Sequence, residues 1–282
     1  MKNSRAEKIV LWITFVIFAL YSISLLYPVF WLIVNSLKTG AEFGSNPMGF
    51  PQSFHLKNYA EAFTLTVGRT KILGMFVNSV ILVVGCTVVS VLMPTITGYV
   101  VSKFEFPGRK LLYAIAISSM LIPAVGTLTA TYQLMVDLHL YNSYIGIIIM
   151  SSGGFGFNFV LVYGFFKSIS KTYAEAAMLD GAGEYTTFFR VMLPQVKPSL
   201  IAIGIIAAIN HWNDYFTPYM YLRAHPTVAV GLQRLVDKAD ANLSLMPQLF
   251  AVMIISILPT IAIFVAFQKT IMENTVAGGL KG

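Results

Sequence analysis

EAAMLDGAGEYTTFFRVMLPQVKP, residues 175 to 198, is the stretch on which the reading of this chain turns. It is short, polar and glycine-punctuated, yet it separates two apolar segments, 143–166 and 200–222. Each is long enough to cross a bilayer, which takes about 20 residues at roughly 1.5 Å apiece. Ala174, Ala176, Ala177 and Leu179 favour a helix from Lys171 to Asp180. The run Asp180-Gly181-Ala182-Gly183 ends it, because glycine permits the backbone angles that close a helix. A second segment with apolar Tyr185, Phe188, Phe189 and Met192 follows, punctuated by Pro194 and Pro198. The expectation is helix, turn, helix. Such an insert suits either an amphipathic hairpin lying on the membrane surface or a docking element, with small alanines allowing close approach and Glu175 and Asp180 as charged acceptors.

The rest of the chain sets that insert in a membrane protein. Apolar residues make up 56% of the 282 positions and charged ones 11%, against about 25% charged in a soluble domain. Six apolar segments are expected to be spanning helices: 9–34, 72–101, 111–135, 143–166, 200–222 and 249–272. Pro94 and Pro259 are read as kinks within them. The first follows Lys2, Arg5 and Lys8, but its length and the lack of a small-x-small site predict an uncleaved span. If the N-terminus is cytoplasmic, twelve of the 19 Lys and Arg fall on that side, so the positive-inside rule places both termini in the cytoplasm. The loop 102–110, with Lys103, Arg109 and Lys110, is the cleanest indicator. The stretch 167–199 and the tail 273–282 are then cytoplasmic, and 35–71 and 223–248 external. Residues 1–282 are expected to form one transmembrane domain.

Several functions are disfavoured. No cluster of basic residues interleaved with exposed aromatics points to nucleic acid, and the +7 balance is better explained by topology. The one cysteine, Cys86, allows no disulfide framework, and no metal-ligand spacing occurs. A G-x-x-x-x-G-K-[ST] loop is absent, so the chain is not expected to bind nucleotide in that way.

Asn210, His211, Trp212, Asn213 and Asp214 lie together in the expected fifth span, where a charge costs at least ~2.5 kcal/mol. They can act as glue between helices or line a path for a polar solute. Asn158, beyond Ser151-Ser152-Gly153-Gly154 in the fourth span, carries the same two readings, and the glycines favour close packing.

Glu175, Ala176, Ala177, Asp180, Gly181, Ala182, Phe188, Pro194 and Pro198, as E-A-A-x-x-D-G-A followed by Phe and P-x-x-x-P, resemble the EAA loop of ABC-importer permeases. Leu56-Lys57-Asn58-Tyr59, Phe104-Glu105-Phe106-Pro107-Gly108-Arg109, Trp212-Asn213-Asp214-Tyr215 and the ending Ala277-Gly278-Gly279-Leu280-Lys281-Gly282 are similar to motifs of the carbohydrate, maltose-transporter-type branch, and of its smaller permease subunit in particular. The resemblance runs from about Pro51 to the last residue; Asn274, where many relatives have Gly, and the glycine-rich fourth span depart from it. It implies an all-α membrane protein with the type I ABC importer permease fold, working in the cell membrane as a non-catalytic subunit. The implied partners are a second permease, two cytosolic ATPase subunits binding ATP and Mg, an extracytoplasmic solute-binding protein, a carbohydrate substrate and membrane lipid. This chain itself would hold no cofactor and no metal. Glu175, Ala176, Ala177, Asp180, Gly181, Ala182, Phe188 and Pro194 would couple to an ATPase. Gly278, Gly279 and Lys281 would reach between the ATPases, and Asn158, Asn210, Trp212, Asn213 and Asp214 could line the translocation path. In the maltose type the principal sugar site lies in the larger subunit, which leaves this chain's contribution open.

Rival readings are a permease for a peptide, phosphate ester or polyamine, an ion-driven transporter, and an intramembrane protease. The last would need facing catalytic groups, and Asp214 is the only acid within a span.

Overall fold

The computed structural model describes residues 5–122 and 126–279, with side chains over 7–122 and 126–270. The described residues are mostly helical, and the chain divides into two compact units, Met1–Ile72 with Gly231–Leu258, and Leu73–Val230 with Pro259–Gly282. Among the described residues four helical stretches are long and apolar enough to cross a membrane: Glu7–Ser36, Ile72–Lys103, Glu184–Asn213 and Leu243–Thr270.

The first unit opens with α1 (Arg5–Ser36), which is apolar on every side and exposed along nearly its whole length, the signature of a helix meant for lipid or another chain rather than for water. Short α2 (Gly40–Ser45) is capped by Thr39, whose Oγ1 accepts from the Glu42 amide at 3.2 Å. Then come α3 (Lys57–Ala62) and a two-stranded ribbon, Thr66–Val67 against Thr70–Lys71. Trp31, Phe43 and Phe250 pack edge to face, with centroids 5.3 Å apart for Trp31–Phe250 and Phe43–Phe250. Polar groups buried beside them are tied to backbone: Asn58 Nδ2 donates to the carbonyls of Ser36 (2.8 Å) and Lys38 (2.7 Å), and Lys38 Nζ to Asn46 O at 2.8 Å. Burial pushes the Lys38 ammonium below its usual pKa range, while the Glu42 carboxylate pulls it back. Gly40 is required here, since a Cβ would stand 2.5 Å from Ser244 Cα.

The second unit is built on α4 (Ile72–Lys103), which runs through Pro94. The expected spans 111–135 and 143–166 are not continuous helices. The first is α5 (Arg109–Leu121) and α6 (Thr127–Asp137), the second α7 (Tyr144–Met150) and α8 (Phe157–Ser168). Ile122 turns extended just before Pro123, as pre-proline sterics favour, and Gly126 adopts φ 83°. At the other break Gly156 adopts φ 143°, a backbone open to glycine alone. Apolarity over 20 residues specified an apolar segment but not a continuous helix, and Gly126 and Gly156, each just before a new helix, mark the interruptions.

The expected fifth span also shifts. One helical run extends from α10 (Glu184–Thr186) through a π-turn (Thr187–Met192) into α11 (Leu193–Asn213), then breaks at Asp214 before α12 (Phe216–Tyr221). Pro194 fails to stop it because it falls at the start of α11, where the π-turn has already shifted the hydrogen-bond register. The chain closes through α13 (Val228–Ala241), which begins in the second unit, and α14 (Met246–Gly279), which ends in it.

Candidate functional site: a turned insert and two helix breaks

The insert is α9 (Thr172–Leu179), a turn, and the beginning of the long helical run. Its turn is a Schellman closure. The Gly181 amide donates to Met178 O at 3.0 Å, the Ala182 amide to Ala177 O at 2.9 Å, and Gly181 takes φ 86°. Glu175, Ala176, Asp180 and Gly181 are exposed, and Ala177 and Ala182 half-buried. These residues, expected on docking grounds, form one contiguous stretch around the turn.

Phe188 and Pro194 sit elsewhere. Phe188 is buried, its ring 4.6 Å from Tyr99 and 4.8 Å from Phe189, in a cluster with Phe166, Met192 and Val196. It therefore roots the insert rather than presenting a surface. Pro194 is exposed at the start of α11. The most exposed apolar side chains of the insert are Leu179 at 89% and Tyr185 at 83%, which the sequence marked only as apolar, not as contact residues. Their only signal was an apolar type next to a turn. Lys103 Nζ donates to Ile169 O, and Lys171 Nζ lies 2.9 Å from Glu105 Oε1, tying the base of the insert to the loop after α4. The hydrogen bond and charge of Lys171, with Arg109 adding to them, hold the Glu105 carboxyl below its ordinary pKa.

The polar residues read as glue or path do not converge on one point. Trp212 is buried with its ring 5.8 Å from Phe76, while Asn210 and Asn213 are exposed. Asn213 Nδ2 donates to Ile209 O at 2.8 Å. Asp214 stands at the end of α11, and its Oδ1 accepts from the Thr217 amide at 3.0 Å, satisfying a free N–H of the following turn. Asn158 has a backbone task. Pro94 cannot donate to Ser90 O four residues before it, and Asn158 Nδ2 fills that place at 3.2 Å. One turn on, Thr97 Oγ1 donates to Gly154 O, so the two stitches run from the Pro94 turn of α4 to the start of α8 and the break before it. Beside them is an open hollow of about 300 Å³ lined by Ser90, Pro94, Ser151, Gly153 and Asn158 among others.

The expected tail residues divide. Gly278 and Gly279 continue the backbone of α14, and Lys281 lies outside the described residues. Among the described residues no group of three His, Cys, Asp or Glu could hold a metal ion.

A chain of long and broken apolar helices carrying an exposed polar insert closed by a Schellman turn has the build of a membrane transport component. The chain belongs to the family of binding-protein-dependent transport system inner membrane components, whose pattern matches residues 90–273. It is a multi-pass protein of the inner membrane. It is similar to the arabinooligosaccharides transport system permease protein AraQ of Bacillus subtilis, 30% identical over 94% of each chain. It is also similar to the diacetylchitobiose uptake system permease protein NgcG of Streptomyces coelicolor, 28% identical over 92% of this chain and 85% of that one. Among solved structures it resembles a chain of a bacterial ABC transporter that imports the acidic polysaccharide alginate, with TM-score 0.80 and 25% identity, over 95% of this chain and 99% of that one.

Proposed function

We propose that the chain is a permease subunit of an ATP-driven carbohydrate importer, forming the path with a second permease and driven by two ATPase subunits through the insert. The exposed, Schellman-closed turn carries this reading. Glu175–Ala182 project from an aromatic root, with Leu179 and Tyr185 bare beside them, and a rigid apolar knob ringed by acceptors suits a groove in another protein. The names of its relatives favour a carbohydrate over other solutes: arabinooligosaccharides for AraQ, diacetylchitobiose for NgcG.

In this reading residues 1–282 form one transmembrane domain with six crossings and both termini in the cytoplasm. The paired helices α5–α6 and α7–α8 each supply one crossing, as broken helices do where a transporter lines a cavity. The insert 167–199 faces the cytosol. ATP and Mg belong to the ATPases, this chain is non-catalytic, and Gly278, Gly279 and Lys281 extend toward the nucleotide sites. A solute-binding protein delivers the sugar outside, and ATPase closure moves the insert and switches access. Asn158 and Asp214 serve the backbone at the helix breaks, which leaves Asn210 and Asn213 the better candidates for contact with sugar.

Site-specific cross-linking tests this reading. Leu179→Cys and Tyr185→Cys, in a Cys86→Ala background, should form adducts with the ATPase subunit of the copurified assembly, with yields that change when ATP is added. Cross-links to lipid reagents alone would reduce the insert to a surface hairpin.

A further inference from the structure

The first unit carries an apolar surface that its own fold leaves bare. Between α2 and α3 runs the loop 46–56, NPMGFPQSFHL, without a single Asp, Glu, Lys or Arg. In it Met48, Phe50, Phe54 and Leu56 are 74%, 76%, 75% and 68% exposed. The loop is firmly held. Asn46 O accepts from Lys38 Nζ at 2.8 Å, the Gly49 amide donates to Asn46 Oδ1 at 2.8 Å, the Gln52 amide to Glu42 Oε1 at 2.5 Å, and the His55 amide to Leu37 O at 2.8 Å. A backbone tied at four points holds these side chains out by construction.

What covers them follows from where the loop touches α1. The Phe50 ring meets Phe30 edge to face at 6.3 Å, and Tyr27 Oη lies 3.9 Å from Met48 Sδ. Counting from Ile9, just after Lys8, about 20 residues cross the hydrocarbon and reach Pro28. Tyr27 and Trp31 therefore stand at the far boundary of the bilayer, where amphipathic aromatics anchor. Residues in contact with Tyr27 and Phe30 share that depth, and their apolar surface is continuous with that of α1, itself exposed and apolar. An uncharged cluster of large apolar groups at this level suits the headgroup and first-methylene layer.

We propose that loop 46–56 is an interfacial anchor, inserting Met48, Phe50, Phe54 and Leu56 into the leaflet at the end of α1 far from Lys8, with the buried Lys38–Asn46 contact as its strut. It sets the depth and tilt of α1 from outside the helix.

The test places a bimane label at Phe50→Cys, Phe54→Cys or Met48→Cys in a Cys86→Ala background. The full-length chain, in its copurified assembly, is reconstituted in phosphatidylcholine vesicles. Labels at two or more of these sites should lose about half their emission to a lipid with a nitroxide near its headgroup. They should resist aqueous iodide, while a label at exposed Asp240→Cys shows the reverse. Quenching by iodide alone would overturn the proposal in favour of a free loop, and shielding from both quenchers would overturn it in favour of cover by a second protein.

Discussion

At the scale of single residues, the structure gives definite tasks to side chains whose sequence context left two roles open. Phe188 belongs to the family-like motif, yet it is buried against Tyr99 and Phe166. Phe188→Ala should lower stability by about 3–5 kcal/mol, measured as a reduced unfolding temperature of the detergent-purified protein. Asn158 donates to the carbonyl that Pro94 leaves free. Asn158→Ala should cost about 1–3 kcal/mol by orphaning Ser90 O. In a Pro94→Ala background, where residue 94 regains its own N–H, the same change should cost distinctly less, and equal costs in the two backgrounds would refute the pairing. At Gly181, with φ 86°, alanine should strain the turn by about 1–2 kcal/mol. The loss should be read as weaker cross-linking of Leu179→Cys to the ATPase with the unfolding temperature little changed.

At the scale of elements, local signals were legible where chemistry was local. The helix, the glycine turn and the second helix of the insert all follow from Ala, Gly and aromatic placement, and all are present. Lost from view were the interruptions. Ile122 before Pro123 closes one helix, and Gly126 and Gly156 stand just before the starts of the next ones, all inside apolar runs, and a hydropathy count over 20 residues registers none of them. Pro194 and Pro198 erred the other way, reading as punctuation where a π-turn lets one helix continue from Glu184. Nor could spacing show that Lys171 pairs with Glu105 across 66 positions. That pair joins the insert to the loop after α4 and predicts a pH effect. The Glu105 carboxyl is held below its ordinary pKa, so its contribution is present above the usual carboxylate range and is lost as pH falls through that range and beyond. Amide protection factors at the base of α9 should fall over this interval in the wild type and stay flat in Glu105→Gln.

At the scale of the whole molecule, membrane residence and transporter class were legible because both rest on bulk quantities and one dense motif: 56% apolar residues, 11% charged, and EAAMLDGA set between spans. The translocation path was less so, since lining depends on which way Asn210, Trp212 and Asn213 face, and helical periodicity in an all-apolar background carries little of that. Trp212 turned inward onto Phe76, and Asp214 became a cap. What unites the three scales is an aromatic root, a Schellman-closed turn and an exposed knob in one element, the feature on which the proposed coupling to an ATPase rests. The decisive measurement is ATP hydrolysis by the copurified assembly, with and without sugar-loaded binding protein, for wild type, Glu175→Lys and Gly181→Pro. Coupling through the insert predicts that both variants remain folded in the membrane but lose ATPase association or stimulation by the loaded binding protein. Normal stimulated hydrolysis and transport in both would contradict it and leave the insert a surface hairpin.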